Sequence, residues 1–209
     1  MSEIGVPFYR QTFDFTCGAA CILMTLSYFD RGFTLDETSE IDIWREGTSV
    51  LVLGMGRYGL SFPLLKRGFA VEILTDSEGI DFIRRIERRL DEPRLEIFKR
   101  LYSERQQRVR GMGVKETKVQ QITLEDVHST LSRGGVPILL TDAVELGDEE
   151  APHWIVLTGA DDESFKANNP LDTKGGSLFR NSEFGRIAGF MGEHTLVSVF
   201  RQNGFARSG

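Results

Sequence analysis

The segment RQTFDFTCGAAC contains the residues of this 209-residue chain that are best suited to covalent chemistry. Cys17 lies six positions after Gln11 and four positions before Cys21. Apolar residues recur three and four positions apart from residue 17 to residue 29, which predicts a helix that begins at Cys17. A cysteine in the first turn of a helix lies at the positive end of the helix dipole, where a thiolate is favoured. Cys17 is therefore a candidate nucleophile for acyl transfer.

Other interpretations of Cys17 stay open on the sequence alone. Two cysteines four positions apart cannot form a disulfide framework. A metal site at Cys17 and Cys21 would need two further ligands that the sequence context does not offer, so no metal is predicted. A small buried side chain is the remaining alternative, and for Cys21, one turn inside an apolar helix, it is the preferred one.

Acyl transfer also needs hydrogen-bond donors for the oxyanion that develops on the attacked carbonyl. The side-chain amide of Gln11, together with the backbone amide of Cys17, is the predicted pair of donors. The intervening TFDFT can let the chain turn back so that both groups face one point. Gly18, directly after the cysteine, allows a close approach of other backbone.

The chain has three histidines, and His153 is the predicted general base. His128 falls in a charged helical segment and is expected at the surface, while His194 opens the last strand. His153 begins the apolar strand HWIVLTGA, so its ring can emerge at the end of a sheet beside the helix start.

The group that orients His153 is expected on a neighbouring strand, where ANNP offers Asn168 and Asn169. Side chains of a strand alternate between its faces, so one of the two can address the histidine. We predict Asn169, which precedes Pro170, although an Asn-Pro pair also favours a turn on its own. A nearby acid such as Asp172 can supply the negative charge that an amide lacks.

These residues must be positioned by helices that come first in the chain and strands that come later, which favours an α+β fold. We expect one domain over 1–209, with a mainly helical lobe at about 6–135 and a sheet lobe at about 136–201. Helices are predicted at 17–29, 35–48, a short one ending at 67, a bent or paired one at 80–109 broken near 93, and 123–135. Strands are predicted at 70–74, 136–141, 153–160, 164–170 and 193–201.

Composition limits the class of function. The net charge is −6 and no basic face is evident, which argues against nucleic-acid binding. No stretch approaches the ~20 apolar residues of a membrane span, and the N-terminus lacks a secretory signal, so a cytoplasmic protein is expected. The glycines of GMGRYG lack the context of a dinucleotide site and predict a loop near the cleft. Trp44, Arg45 and Glu46 could line a substrate groove or anchor the fold.

Taken together, VPFYRQTFDFTCGAACILM and PHWIVLTGADDESFKANNP resemble the bacteriocin-leader-processing cysteine peptidases, family thirty-nine of the papain-like clan. The resemblance covers roughly residues 6 to 200, and IDIWREGTSV with GMGRYGLSFPLLKRGFAVEIL resembles a stand-alone bacterial branch of that family. It implies a papain-like fold and a peptide or protein substrate, with no cofactor. The implied roles are nucleophile for Cys17, base for His153, orienting residue for Asn169 and oxyanion donor for Gln11.

Two residues depart from the family pattern, because Asn169 stands where an aspartate is usual and Ala19 stands where a proline is usual. An asparagine can still accept the imidazole N–H, as in Cys-His-Asn proteases. The expected reaction is hydrolysis of a peptide amide through a thioester. A transpeptidase or deamidase that uses the same thioester, and a peptide-binding module without turnover, are the alternatives.

Overall fold

The computed structural model describes residues 2–49, 51–77, 87 and 90–202. The α-helices are α1 Cys17–Phe29, α2 Glu37–Gly47, α3 Arg57–Lys66, α4 Glu92–Gly111, α5 Leu124–Ser132 and α6 Phe184–Ile187, with 3-10 turns at Ala143–Leu146 and Asn181–Glu183. The strands are β1 Ser2–Glu3, β2 Phe69–Thr75, β3 Lys115–Lys118, β4 Val136–Asp142, β5 Pro152–Ala160, β6 Ser164–Asn168, β7 Ser177–Arg180 and β8 Thr195–Arg201.

The strands form one sheet in the order β3-β2-β8-β4-β5-β6-β7, and β1 pairs with the end of β5. Among the pairings of the described strands, β2–β3 is parallel and the others are antiparallel. The predicted α+β class with a mostly antiparallel sheet is therefore confirmed. The part of the chain before residue 136 is mainly helical, as expected, but it also contributes β2 and β3 to this sheet.

The sheet separates two hydrophobic cores. On β4, Ile138 and Leu140 face the core built with α1, α2, α3 and α4, whereas Leu139 faces the core built with α5 and α6. This alternation is the period-two pattern of a strand covered on both faces. The first core carries α1 against the sheet, and this contact positions the candidate site.

Helix α1 begins and ends where the sequence predicts, and every residue from Cys17 to Leu26 is buried. A helix that is apolar on all sides belongs in the interior of a protein. Thr16 stands at the position before the helix, but its side chain makes no capping bond. The Thr16 hydroxyl instead donates to the carbonyl of Phe13 at 2.8 Å, which closes the tight loop that leads into the helix.

The other predicted elements are found with small changes of boundary. Helix α5 begins with a capping box, in which Thr123 and Asp126 are bonded reciprocally. Pro93 stands in the first turn of α4, where its missing N–H costs nothing, rather than at a break inside a helix. The first half of the predicted 80–109 helix lies almost entirely outside the described residues. Strands β1, β3 and β7, each of two to four residues, were not predicted.

Over the part of the chain that the structure describes, no helix combines the length and the apolar character needed to cross a membrane.

Candidate active site

Cys17 lies at the first position of α1, where the helix meets β5. The residue is 6% exposed, and the backbone amides of Trp154 in β5, Gly18 and Cys17 lie close enough to its sulfur to favour the thiolate. Since Trp154 directly follows His153, this contact places the cysteine at the same end of β5 as the histidine. A Cβ on Gly18 would lie 3.2 Å from the side chain of Met55, so a side chain packs closely against this glycine where other backbone was expected.

Burial dominates the electrostatics of this thiol. It raises the pKa of Cys17 from 9.0 to about 11, and the three backbone amides lower the pKa by less than burial raises it. The sequence suggested the opposite direction, because a helix N-terminus favours a thiolate. The dipole acts here on a sulfur that has lost its water, and the desolvation of a thiolate is the larger effect. The resting cysteine is therefore a neutral thiol.

His153 lies near the start of β5, opposite Thr141 of β4, and is 3% exposed. Its Nε2 lies 2.8 Å from Oδ1 of Asn169. Burial lowers the pKa of the imidazole, while the hydrogen bond to Asn169 and the charges of Asp148 and Asp172 raise it by a smaller amount. The histidine is consequently neutral at physiological pH and able to accept a proton.

Asn169 begins a β-turn through Pro170 in which the amide of Asp172 donates to the carbonyl of Asn169 at 3.0 Å. Its side chain is 2% exposed and addresses His153, as predicted. The side chain of Asn168 has different partners, since its Nδ2 donates to the carbonyl of Val6 at 3.1 Å. The alternation of the strand thus separates the two asparagines.

Gln11 lies in the N-terminal loop, which we define as residues 9–13. Its backbone amide donates to the carbonyl of Pro170 at 3.0 Å, so the loop is bonded directly to the turn that carries Asn169. Its Nε2 donates to the carbonyl of Phe13 at 2.8 Å, and the same carbonyl accepts from the amide of Thr16 at 3.1 Å. The glutamine side chain therefore folds back to the residues that immediately precede Cys17.

The sequence analysis missed Glu40, which holds the N-terminal loop from α2. This glutamate is fully buried, and its carboxyl group accepts from the backbone amide of Thr12 at 3.1 Å and from the hydroxyl of Tyr9 at 3.0 Å. Burial and the nearby Glu40 raise the pKa of Tyr9 to about 12. Nothing in the spacing of Glu40 and Thr12, 28 positions apart, signals this contact.

A cavity of about 300 Å³ adjoins Gln11 and is lined by residues 10–14 and Leu171. Its polar lining can contact the backbone of an extended peptide. A second cavity of about 370 Å³ lies elsewhere, between the α2–α3 connection and α4. The first cavity therefore lies beside the N-terminal loop that contains Gln11, and the second lies away from it.

The other two histidines lie apart from these contacts, and the side chains of the two tryptophans have structural partners. His194 faces Asp76, with Nδ1 2.5 Å from the carboxylate, and His128 is half-buried on α5. Trp154 is a core residue whose indole donates to the carbonyl of Met55 at 2.8 Å. Trp44 anchors the α2–α3 connection by donating to the carbonyl of Leu53 at 2.7 Å.

In residues 2–49, 51–77 and 90–202, no group of three or more His, Cys, Asp or Glu side chains is placed to hold a metal ion. Cys21 contacts the backbone instead, with its thiol directed to the carbonyl of Trp154 at 3.2 Å. The buried-residue interpretation of Cys21 agrees with this contact.

Comparisons with known proteins agree with this architecture. A curated-protein search gave no match. A C39-like peptidase from Bacillus anthracis has 15% identity and a TM-score of 0.56, covering 96% of this chain and 98% of its own. The peptidase domain of Streptococcus ComA, a bi-functional ABC transporter involved in quorum sensing, has 10% identity and a TM-score of 0.53, covering 95% of this chain and 100% of its own. At these identities the likeness establishes the fold alone.

The sequence profile of one family extends over most of the chain. The Peptidase_C39-like family matches residues 6–183, a range that contains Gln11, Cys17, His153 and Asn169. The chain therefore belongs to the Peptidase_C39-like family and has its papain-like peptidase fold.

Proposed function

We propose that this protein is a cysteine hydrolase that cleaves a peptide amide bond, with Cys17 as nucleophile, His153 as base, Asn169 as orienting residue and Gln11 as oxyanion donor. The observation that carries the proposal is the pair of adjacent contacts on β5. The backbone amide of Trp154 lies beside the sulfur of Cys17, and the ring of the preceding His153 is held by Asn169 at 2.8 Å. These neighbouring contacts support the proposal, because acyl transfer requires a nucleophile, a base and a group that orients the base.

The resting pair is a neutral thiol and a neutral imidazole, so the proton moves during attack. Nδ1 of His153 takes the proton of the Cys17 thiol as the sulfur forms its bond to the substrate carbonyl carbon. The C–N bond of the resulting tetrahedral species then breaks, and the imidazolium returns the proton to the leaving amine. Water attacks the thioester with His153 again as base, which releases the acid and restores the thiol.

Gln11 has the donor capacity for the oxyanion. A side-chain amide carries two N–H bonds, and one of those on Gln11 is directed to the carbonyl of Phe13 at 2.8 Å. The second is available to a substrate oxygen near the start of α1, where the backbone amide of Cys17 is the other donor. The bond from Gln11 to the carbonyl of Pro170 fixes the position of this loop.

The test uses a peptide library with mass-spectrometric detection of new termini, applied to the wild type and to Cys17→Ala, His153→Ala and Cys21→Ala. Cys21 is a matched control, because it is a buried cysteine one turn away in the same helix. We expect cleavage by the wild type and Cys21→Ala, and its loss in the other two variants. Peptides that bind the wild type and Cys17→Ala equally, and that neither protein cleaves, would instead identify a binding module.

The same peptide mixtures test whether water or an amine takes the acyl group from the proposed thioester. Addition of hydroxylamine to a reaction that passes through a Cys17 thioester yields a hydroxamate of the acyl fragment. Transfer to the amine of a second peptide, in preference to water, would identify the transpeptidase alternative.

A further inference from the structure

We propose that Asp172 is a positioning residue that fixes which end of the Asn169 amide faces His153 and supplies, one hydrogen bond further out, the negative charge that an amide lacks. This inference rests on the proposed function of His153 as the base. It assigns a role to a carboxylate that does not itself touch the histidine. Three contacts within the 169–177 segment, and one from Asn169 to His153, carry it.

The orientation of the Asn169 amide follows from its partners. The backbone amide of Leu171 can only donate, and it lies 3.1 Å from Oδ1 of Asn169. The carboxylate of Asp172 accepts, and it lies 2.9 Å from Nδ2. A flipped amide would place two donors together at Leu171 and two acceptors together at Asp172, so the flip is disfavoured at both ends.

This orientation also selects the tautomer of His153. The atom that faces Nε2 at 2.8 Å is an oxygen, so Nε2 must carry the hydrogen in the neutral ring. Nδ1 then keeps its lone pair and can act as the base. An amide turned the other way would present N–H to Nε2, stabilise the opposite tautomer and place a hydrogen on the nitrogen that has to accept one.

Asp172 is itself held in place. The hydroxyl of Ser177, at the start of the edge strand β7, donates to its second carboxylate oxygen at 2.5 Å. The carboxylate is half-buried, and together with Asp148 it is one of two charges that raise the pKa of His153 against the larger effect of burial. The hydrogen bonds therefore run from Ser177 through Asp172 and Asn169 to the imidazole, with the negative charge beside the place where the imidazolium forms.

The arrangement predicts that an aspartate at position 169 works less well than the asparagine unless Asp172 is replaced as well. Asn169→Asp would give His153 a carboxylate partner, but it would set two carboxylates 2.9 Å apart, where like charges cannot both stay ionised without displacement. The exchange Asn169→Asp/Asp172→Asn moves the negative charge from position 172 to position 169, next to His153. The new amide at position 172 can donate to the new carboxylate at position 169. The oxygen of that amide can accept from Ser177, so every hydrogen bond is kept.

The experiment measures two quantities on each variant. The first is the set of nitrogen chemical shifts of the His153 ring by NMR, which reports the tautomer and the titration of the ring. The second is the rate at which a peptidyl chloromethyl ketone alkylates Cys17. We expect Asp172→Ala to produce a mixture of tautomers and to slow alkylation by roughly 10- to 100-fold, the range seen when orienting partners of a site are removed. We expect Asn169→Asp to be slowed as well, and the exchange variant to recover most of the wild-type rate.

The control is Asp161→Ala, which removes another turn-forming aspartate of the same sheet, one that accepts from the amides of Glu163 and Ser164 at 2.9 and 2.8 Å. It should change neither the tautomer nor the rate. If Asp172→Ala leaves both quantities at their wild-type values, or if the exchange variant is no better than Asn169→Asp, the positioning role is wrong. Slow alkylation of Cys17 in the wild type, unchanged in His153→Ala, would refute the proposed function instead, and the tautomer measurement would still decide the role of Asp172.

Discussion

The structure makes a specific prediction about the charge of Cys17 in the resting protein. Its pKa of about 11, against an ordinary 9.0, reduces the thiolate at neutral pH by about two powers of ten, from roughly one molecule in a hundred to one in ten thousand. This corresponds to about 2.7 kcal/mol of disfavoured ionisation. The cause is the burial of the sulfur, which exceeds the stabilisation by the backbone amides of Cys17, Gly18 and Trp154.

The measurement is the ultraviolet absorbance of the thiolate, taken as the difference between wild type and Cys17→Ala from about pH 5 to about pH 9. We expect no thiolate signal from Cys17 over this range, because burial raises the pKa of its thiol to about 11. Cys21→Ala serves as the control, since burial raises the pKa of Cys21 as well and its removal should leave the difference spectrum unchanged.

One outcome would refute this reasoning. A thiolate signal that is already present below about pH 7 and disappears in His153→Ala would show a thiolate–imidazolium pair. The helix dipole and the imidazolium would then outweigh desolvation. The proton would already be on His153 before the substrate binds.

Two further predictions concern the elements that support the site. Gly59→Ala should lower the free energy of unfolding by about 1–3 kcal/mol in a denaturant titration. The added Cβ would lie 2.4 Å from the carbonyl oxygen of Gly47, where α2 and α3 cross. The control is Gly111→Ala, whose Cβ would have nothing within 4 Å and which should be neutral or slightly stabilising. An unchanged midpoint for Gly59→Ala would mean that the two helices separate freely. Glu40→Ala should cost on the order of 3 kcal/mol, because it leaves the Thr12 amide and the Tyr9 hydroxyl without their shared acceptor. It should also reduce alkylation of Cys17 by a carbonyl electrophile, and a variant that loses stability alone would show that the N-terminal loop keeps its position without Glu40.

Local patterns in the sequence were sufficient to predict most elements and which of two adjacent asparagines contacts His153. The apolar spacing after Cys17 predicts α1, and the alternation around Asn168 and Asn169 correctly separates the asparagine that faces the histidine from the one that does not. These features depend on neighbours within a few residues, so short windows contain the information.

The features that escaped prediction depend on distant parts of the chain. The direction of the Cys17 pKa is set by how deeply the sulfur is buried against β5, more than 130 positions away, and no local pattern encodes that depth. The contact of Glu40 with Thr12 likewise joins residues far apart in the sequence, so no local pattern predicts it. Strands β3 and β7 are four residues long, too short for their alternation to be distinguished from that of a loop.

The contacts between Trp154 and α1 have a mechanical consequence. Its backbone amide lies beside the sulfur of Cys17, and its carbonyl accepts the thiol of Cys21 at 3.2 Å one helical turn later, so one residue of β5 meets the helix at two points along its axis. Sliding of the helix along β5, or rotation about its own axis, would disturb these contacts. The separation of Cys17 and His153 is thereby set by main-chain atoms, and it should survive replacement of the Trp154 side chain as long as the backbone keeps its course.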